Sequence, residues 1–497
     1  MGKLLSLRQP ANHPGKRAHG ALRKISRLVD RDHVLGFGGW GSLQKLSMAA
    51  TIDSKYNVPT PRYTSYPTVP FWKEGFDTTQ WQQVFARQYL KGNAKEGLSL
   101  YIHLPFCESL CIYCGCNKKI STRHDVEDPY IDAVLKEWEL YQGLMQEPPV
   151  IRELHLGGGT PTFFSPANLY RLIQGILKGC MVHPAHAFSL EGHPNNTTAE
   201  HLEALYGLGF RRVSYGVQDT NPEVQQVIHR IQPFENVKRA VWEARKAGFT
   251  SVNFDLIYGL PRQNTDRLLQ TIWQSLSLCP DRIAFYSYAH TPSVNCAQRL
   301  IDERDLPSPT EKLELHQVGK KLLRQQGYTD IGMDHFALPT DELYAAQKNH
   351  TLHRNFMGYT SRKTSLLLGL GVSSISDAGL AFAQNDKTLT GYYRGIESGS
   401  LAVRKGVFLT EEDQVFRRHI LDISCQGRTT LDPRYSFLFE KFTMPILRGL
   451  EKDGLVSLPE NAVEVTAAGR AFIRNICKAF DLHLLRAETA PTFSNAI

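Results

Sequence analysis

The stretch CESLCIYCGC, residues 107–116, places four of the chain's nine cysteines within ten positions. Cys107, Cys111 and Cys114 have C-x3-C-x2-C spacing, which lets one loop fold three thiolates around a common centre. Soft thiolates select zinc or an iron–sulfur cluster. A structural zinc ion calls for a fourth ligand, which Cys116 or His103 could give. A [4Fe–4S] cluster on three thiolates instead leaves one iron without a protein ligand, open to a substrate or cofactor. On that reading Cys116 is not a ligand: it is either a small packed residue or a thiol facing the substrate side of the loop.

Six β-rich runs must position these residues: 98–105, 151–158, 186–194, 211–219, 251–260 and 281–290. Amphipathic segments such as DPYIDAVLKEWELYQGLM, AEHLEALYGLG and ENVKRAVWEARKAGF lie between them, with Gly or Pro near several ends. Strand alternating with helix implies right-handed βα units around a parallel sheet. Chemistry in such barrels sits at the C-terminal ends of the strands. The cysteine loop follows the first run and the Gly157–Gly159 turn follows the second, while Glu191, Gln218, Asp255 and His290 fall at or near later strand ends. A turn without side chains lets backbone groups approach a ligand.

The rest of the chain divides less sharply. A seventh helix, about 309–327, leads through IGMDHFAL into a Gly-rich loop region reaching about residue 400. From 407 the tail reads as helix, two short strands around a turn, and a further helix, a small winged-helix-like domain. The domains expected are a basic leader 1–47, an N-terminal arm or lid 48–97, a catalytic domain 98–400 and a C-terminal domain 401–497. The fold class is α/β, a partial (β/α)6 barrel with that arm and a smaller α+β domain.

Composition is that of a globular protein, and no apolar run reads as a membrane span. The net charge of +8 is concentrated in the leader, whose nine Lys and Arg face two acids. The remaining 450 residues carry 48 basic and 47 acidic side chains, so a nucleic-acid-binding face is not supported. The leader is Arg-rich like a transit peptide but has no secretory h-region. Met48 begins a natural-looking start, and the leader is expected to be dispensable. The other five cysteines are scattered, with no disulfide framework, which reads as a reducing cytoplasm.

In its place after the first strand, with LHLGGGTPT after the second, the cysteine motif resembles the radical S-adenosylmethionine superfamily. PRYTSYPT (61–68), the CGC ending, IGMDHFAL (331–338), HRNFMGYT (353–360), and LLGLGVSSIS with AQN (367–376, 383–385) narrow the likeness to the oxygen-independent coproporphyrinogen III oxidases, also called dehydrogenases, from about residue 57 to the C-terminus. The resemblance implies oxidative decarboxylation of two propionates of coproporphyrinogen III to vinyl groups, giving protoporphyrinogen IX, a step of haem synthesis. It implies a [4Fe–4S] cluster on Cys107, Cys111 and Cys114, with S-adenosylmethionine on the open iron.

Residue by residue, it suggests Tyr101, Gly158, Glu191 and Ile375 around one S-adenosylmethionine. Tyr113, Gly159, Thr160 and Gln218, with Arg230, Asp255 and Ala289, would surround a second molecule beside it. Tyr113 stands where Phe is common, and Gly-His-Pro follows Glu191 where an acid often precedes the Pro. An electron donor and an electron acceptor, both unidentified, are implied, and a monomer is expected. A related haem chaperone or haem-degrading methyltransferase is the alternative, but these typically lack PRYTSYPT and CGC, or much of GMDHFA and HRNFMGYT. A zinc-stabilised structural protein is the remaining reading.

Overall fold

The computed structural model describes residues 54–488 together with 52 and 493; the basic leader lies outside the described residues. The described residues from Lys55 onward form one compact unit. The six strands read from the sequence are present as β1 (Leu98–Leu104), β2 (Val150–Gly158), β3 (Met181–Gly192), β4 (Phe210–Gln218), β5 (Ser251–Tyr258) and β6 (Arg282–Ser287). They are parallel neighbours in that order.

Alternate residues of each strand point to opposite faces. One face is apolar: Leu98, Leu100, Ile102 and Leu104 of β1, with Leu154 and Leu156 of β2, are buried in the main core. The other face is polar, and its register lines up Tyr101 with His155, and His155 with Ser189, across β1, β2 and β3. The helices cover the apolar face with amphipathic stripes, as when α1 (Thr78–Glu96) buries Trp81, Phe85 and Tyr89. The helix Phe234–Ala247 ends at Gly248, whose φ of 104° suits a residue without Cβ. The helix Thr265–Leu276 begins at Asn264, whose side chain accepts from the Arg267 amide at 3.0 Å.

The sheet runs well beyond these six strands, to thirteen among the described residues, and stays open, with Lys73–Glu74 and Thr329–Gly332 at its edges. Beyond β6 come β8 (His335–Ala337) and then β7 (Thr329–Gly332), an antiparallel pair. Beyond β1 comes β9 (Leu367–Leu370), parallel to it, then β10 (Ile375–Asp377), β11 (Ala381–Asn385) and β12 (Val403–Phe408), all antiparallel. The Gly-rich loop region read from the sequence is therefore largely sheet. Strands β9–β11, of three to five residues, are too short for their periodicity to register. Their glycines serve close packing, since a Cβ on Gly369 would lie 2.5 Å from the Ile375 carbonyl oxygen.

The tail carries helices Glu411–Gln426, Met444–Lys452 and Ile473–Lys478 around a sheet of three strands. Two are the strands read from the sequence; the third, Arg428–Thr430, follows the helix-ending Gly427 directly. Against this tail lies the PRYTSYPT segment, whose Tyr63 and Tyr66 are buried and whose Tyr63 hydroxyl donates to Asp481 at 3.0 Å. No helix among the described residues is long and apolar enough to cross a membrane.

Candidate active site

A cavity of about 720 Å³ opens at the C-terminal ends of β1–β6. The cysteine loop forms one wall. Its ends are tied together where Phe106–Cys107 pairs with Lys119–Ile120, and its middle is held by Asn295 and Gln298, which donate to the carbonyls of Cys114 at 2.8 Å and Tyr113 at 3.1 Å. Gln298 also donates to the Ala289 carbonyl at 3.0 Å, bringing the segment after β6 to the same wall.

Each thiol has its own electrostatic surroundings. Thr160 donates to Cys107 Sγ at 3.2 Å, and burial outweighs that bond, pushing the thiol up to about 11. Arg230 directs Nη1 at Cys111 Sγ from 3.5 Å. The neighbouring Cys116 thiol brings Cys114 down to about 6, with Lys118 and Arg230 adding to the effect. Among the described residues no three His, Cys, Asp or Glu side chains converge on a position for one metal ion. Three thiols on a pinned loop, next to the cations Arg230 and Lys118, are a donor set that suits a polynuclear iron–sulfur cluster. Cys116 lines the cavity and is exposed, so the small-packed-residue alternative gives way to a thiol on the open side.

The Gly157–Gly159 turn forms the next wall, and its glycines are required by packing against β1 as well as by any ligand. A Cβ on Gly159 would sit 2.4 Å from the Pro105 oxygen, and one on Gly158, at φ 118°, would meet the His103 ring at 2.9 Å. The backbone faces the cavity instead, and the Gly158 amide donates to Glu191 at 3.2 Å. Glu191 also meets His155 Nε2 at 3.4 Å and keeps 44 % of its side chain exposed. Tyr101 lies just behind, its ring 6.0 Å from that of His155 and its hydroxyl 3.1 Å from His103 Nδ1.

On the far side, Gln218 ends β4 at φ 64°, a left-handed conformation that turns its side chain back toward Gly216. Arg230 Nη2 donates to the Gly216 carbonyl at 2.5 Å. Asp255 sits mid-way along β5 rather than at its end, bonded to Ser214 at 3.1 Å and Asn253 at 2.9 Å. Burial, then the charge of Glu191, raises its carboxyl to about 7.

Of the eleven cofactor residues suggested by resemblance, nine line this cavity: Tyr113, Gly158, Gly159, Thr160 and Glu191, then Gln218, Arg230, Asp255 and Ala289. Tyr101 and Ile375 stand outside its wall. They share one row of the sheet across Gly369, and Ile375 packs toward Trp72 and Phe382. His290 is turned away, held by Tyr288 and Glu303 at 3.0 and 3.2 Å. Sequence reasoning passed over His193, Ser214 and Tyr286, which also line the cavity. The signal for Ser214 and Tyr286 is their period of two on a strand whose alternate residues are apolar. Arg62 of the arm reaches the same cavity and pairs with Asp334 at 2.9 Å.

Known proteins give the same picture. A Radical SAM superfamily model matches residues 101–272. The oxygen-independent coproporphyrinogen III oxidase of Escherichia coli is 39% identical over 467 residues, covering 92% of this chain and 100% of that protein. That of Synechocystis is 37% identical, covering 91% and 98%. A solved coproporphyrinogen III oxidase from Escherichia coli, described as a radical SAM enzyme, superposes with a TM-score of 0.79 at 40% identity over 85% of this chain and 98% of its own. With likeness of that extent running through arm, barrel and tail, the chain belongs to the oxygen-independent coproporphyrinogen III oxidases of the radical SAM superfamily.

Proposed function

We propose that the chain oxidatively decarboxylates two propionate side chains of coproporphyrinogen III to vinyl groups, giving protoporphyrinogen IX without oxygen. One observation carries the reading: the cysteine loop, Glu191 and Asp255 border a single cavity, whose size is in the range of small-molecule sites. Each propionate gives up a hydrogen atom from its β-carbon, carbon dioxide and one further electron, and an external acceptor takes that electron.

In this reading Cys107, Cys111 and Cys114 hold a [4Fe–4S] cluster. When bound, the cluster and S-adenosylmethionine supply a 5′-deoxyadenosyl radical able to take hydrogen from an unactivated carbon. The chain's part is to bind, orient and exclude water. Arg230 offsets thiolate charge at Cys111. Glu191, half exposed and anchored through Gly158, offers a carboxylate to the cofactor's ammonium group. Tyr101, Gly158, Glu191 and Ile375 serve one S-adenosylmethionine. Tyr113, Gly159, Thr160 and Gln218, with Arg230, Asp255 and Ala289, serve a second molecule. Arg62 carries the arm across the opening, and residues 48–97 act as a lid over a catalytic domain 98–400 followed by a smaller domain 401–497. A monomer in the reducing cytoplasm fits nine free cysteines, with a separate electron donor and acceptor.

Incubating reduced, cluster-loaded protein with S-adenosylmethionine and coproporphyrinogen III should yield a vinyl-bearing product. A protein that cleaves S-adenosylmethionine yet leaves all four propionates intact would exclude the proposed reaction.

A further inference from the structure

The barrel floor holds a buried guanidinium, two of whose three nitrogens have no hydrogen-bonding partner. Arg354 lies on the strand His353–Asn355, opposite Tyr359 of Gly358–Thr360. It is 7% exposed, and neither Nε nor Nη1 has a partner. Its guanidinium carbon lies 4.7 Å from the centre of the Tyr359 ring. That ring is 5.4 Å from His335, whose Nδ1 is also buried and without a partner. Three arginines nearby have carboxylate partners: Arg282 with Asp341 at 2.7 Å, Arg212 with Glu342 at 3.1 Å, Arg62 with Asp334 at 2.9 Å. A desolvated charge with unmade hydrogen bonds is costly, and an arriving anion relieves the cost.

Arg354 stands behind the cavity wall and is connected to the active site through its neighbours Tyr359 and His335. Tyr359 and His335 line a cavity of about 140 Å³ at the floor, which shares Glu191, Ser214, Asp255 and Tyr286 with the larger cavity above. Burial and the neighbouring Arg354 hold the His335 imidazole neutral, so a proton on Nδ1 would supply one further donor.

We propose that Arg354, assisted by His335, docks a carboxylate of the substrate and so positions the macrocycle beneath the cysteine loop. The inference rests on the proposed tetracarboxylate substrate and adds a place for one of its acids. Arg354 is a positioning residue, and its test is a binding measurement independent of turnover. Coproporphyrin III, the stable oxidised tetraacid, and its tetramethyl ester serve as probes, titrated by fluorescence quenching against cluster-loaded protein.

Arg354→Gln should weaken tetraacid binding at least tenfold and leave ester binding, iron content and substrate-free S-adenosylmethionine cleavage near wild type. Arg354→Lys, which keeps the charge, should recover part of the loss and covers the case in which Arg354→Gln does not fold. Tetraacid binding unchanged in folded Arg354→Gln, or equal weakening of acid and ester in either variant, would overturn the inference. Wild-type protein that makes no vinyl product but shows the Arg354-dependent preference for acid over ester would sink the proposed reaction and leave the docking site standing.

Discussion

Glu137 and Arg354 are both charged residues enclosed by the same sheet assembly, and they are treated in opposite ways. Glu137, 0% exposed on the helix Glu127–Gln142, accepts from the Gly371 amide at 2.7 Å, Asn385 Nδ2 at 2.6 Å and the Tyr392 hydroxyl at 2.7 Å. It ties a barrel helix to the β9–β12 extension, and its needs are met within the chain. Arg354, on the strand His353–Asn355, has donors with nothing to meet them. Buried polar groups are normally satisfied, and a network completed inside the chain serves the fold. One left incomplete beside a cavity is ready for a group that comes from outside. The molecule thus separates a sealed polar seam that holds the barrel from a cavity that holds its chemistry.

The cavity side should lose function and keep the fold. Cys111→Ser is expected to abolish both iron incorporation and turnover, whereas Cys116→Ser should keep the cluster and still cleave S-adenosylmethionine on reduction. Comparable iron loss in both would make Cys116 a ligand and reopen the closed-site reading.

The seam should behave in reverse. Glu137→Leu leaves the Gly371 amide and the Tyr392 hydroxyl without an acceptor, while Asn385 keeps Gly371 and Ser374, and is expected to cost about 3 kcal/mol in denaturant unfolding, with iron per folded molecule unchanged. Burial raises the Glu137 carboxyl from 4.5 in the unfolded chain to about 7 in the fold, so the fold binds the extra proton. Its contribution is complete below 4.5 and is lost as pH rises to about 7. Wild type should therefore lose roughly 2–3 kcal/mol relative to Glu137→Gln across that window. A difference that does not vary with pH would remove this titration from the seam.

Smaller effects sharpen the same division. Asp255→Ala and Glu191→Ala should each weaken S-adenosylmethionine binding about tenfold, or ~1.4 kcal/mol, with iron content near wild type. Falling iron would move those residues from cofactor binding to support of the cluster. A chain beginning at Met48 should match the full chain in iron content and activity, and a loss would give the leader a role.

What was legible in the sequence follows the same line. The six barrel strands stood out because each is a run of six or more residues between amphipathic helices, and the cysteine loop because its spacing is local. Strands β9–β11, of three to five residues, were hidden by their brevity. The seam was hidden by distance along the chain, since Glu137 meets Asn385 across 248 positions, and neither residue signals the other. Arg354 reads as one more charge in HRNFMGYT, and only folding removes its water. Asp255 was found for an incomplete reason: it faces the cavity through strand alternation, in step with Asn253 and Ile257, and not through a place at the strand end.

The central claim is that the cavity beneath the cysteine loop brings a propionate β-carbon to the cofactor. Substrate deuterated at the propionate β-carbons tests it most directly, with 5′-deoxyadenosine and porphyrin products analysed by mass spectrometry. Deuterium should appear in 5′-deoxyadenosine, one transfer for each vinyl group formed. Vinyl groups formed with no deuterium transferred to 5′-deoxyadenosine would contradict it.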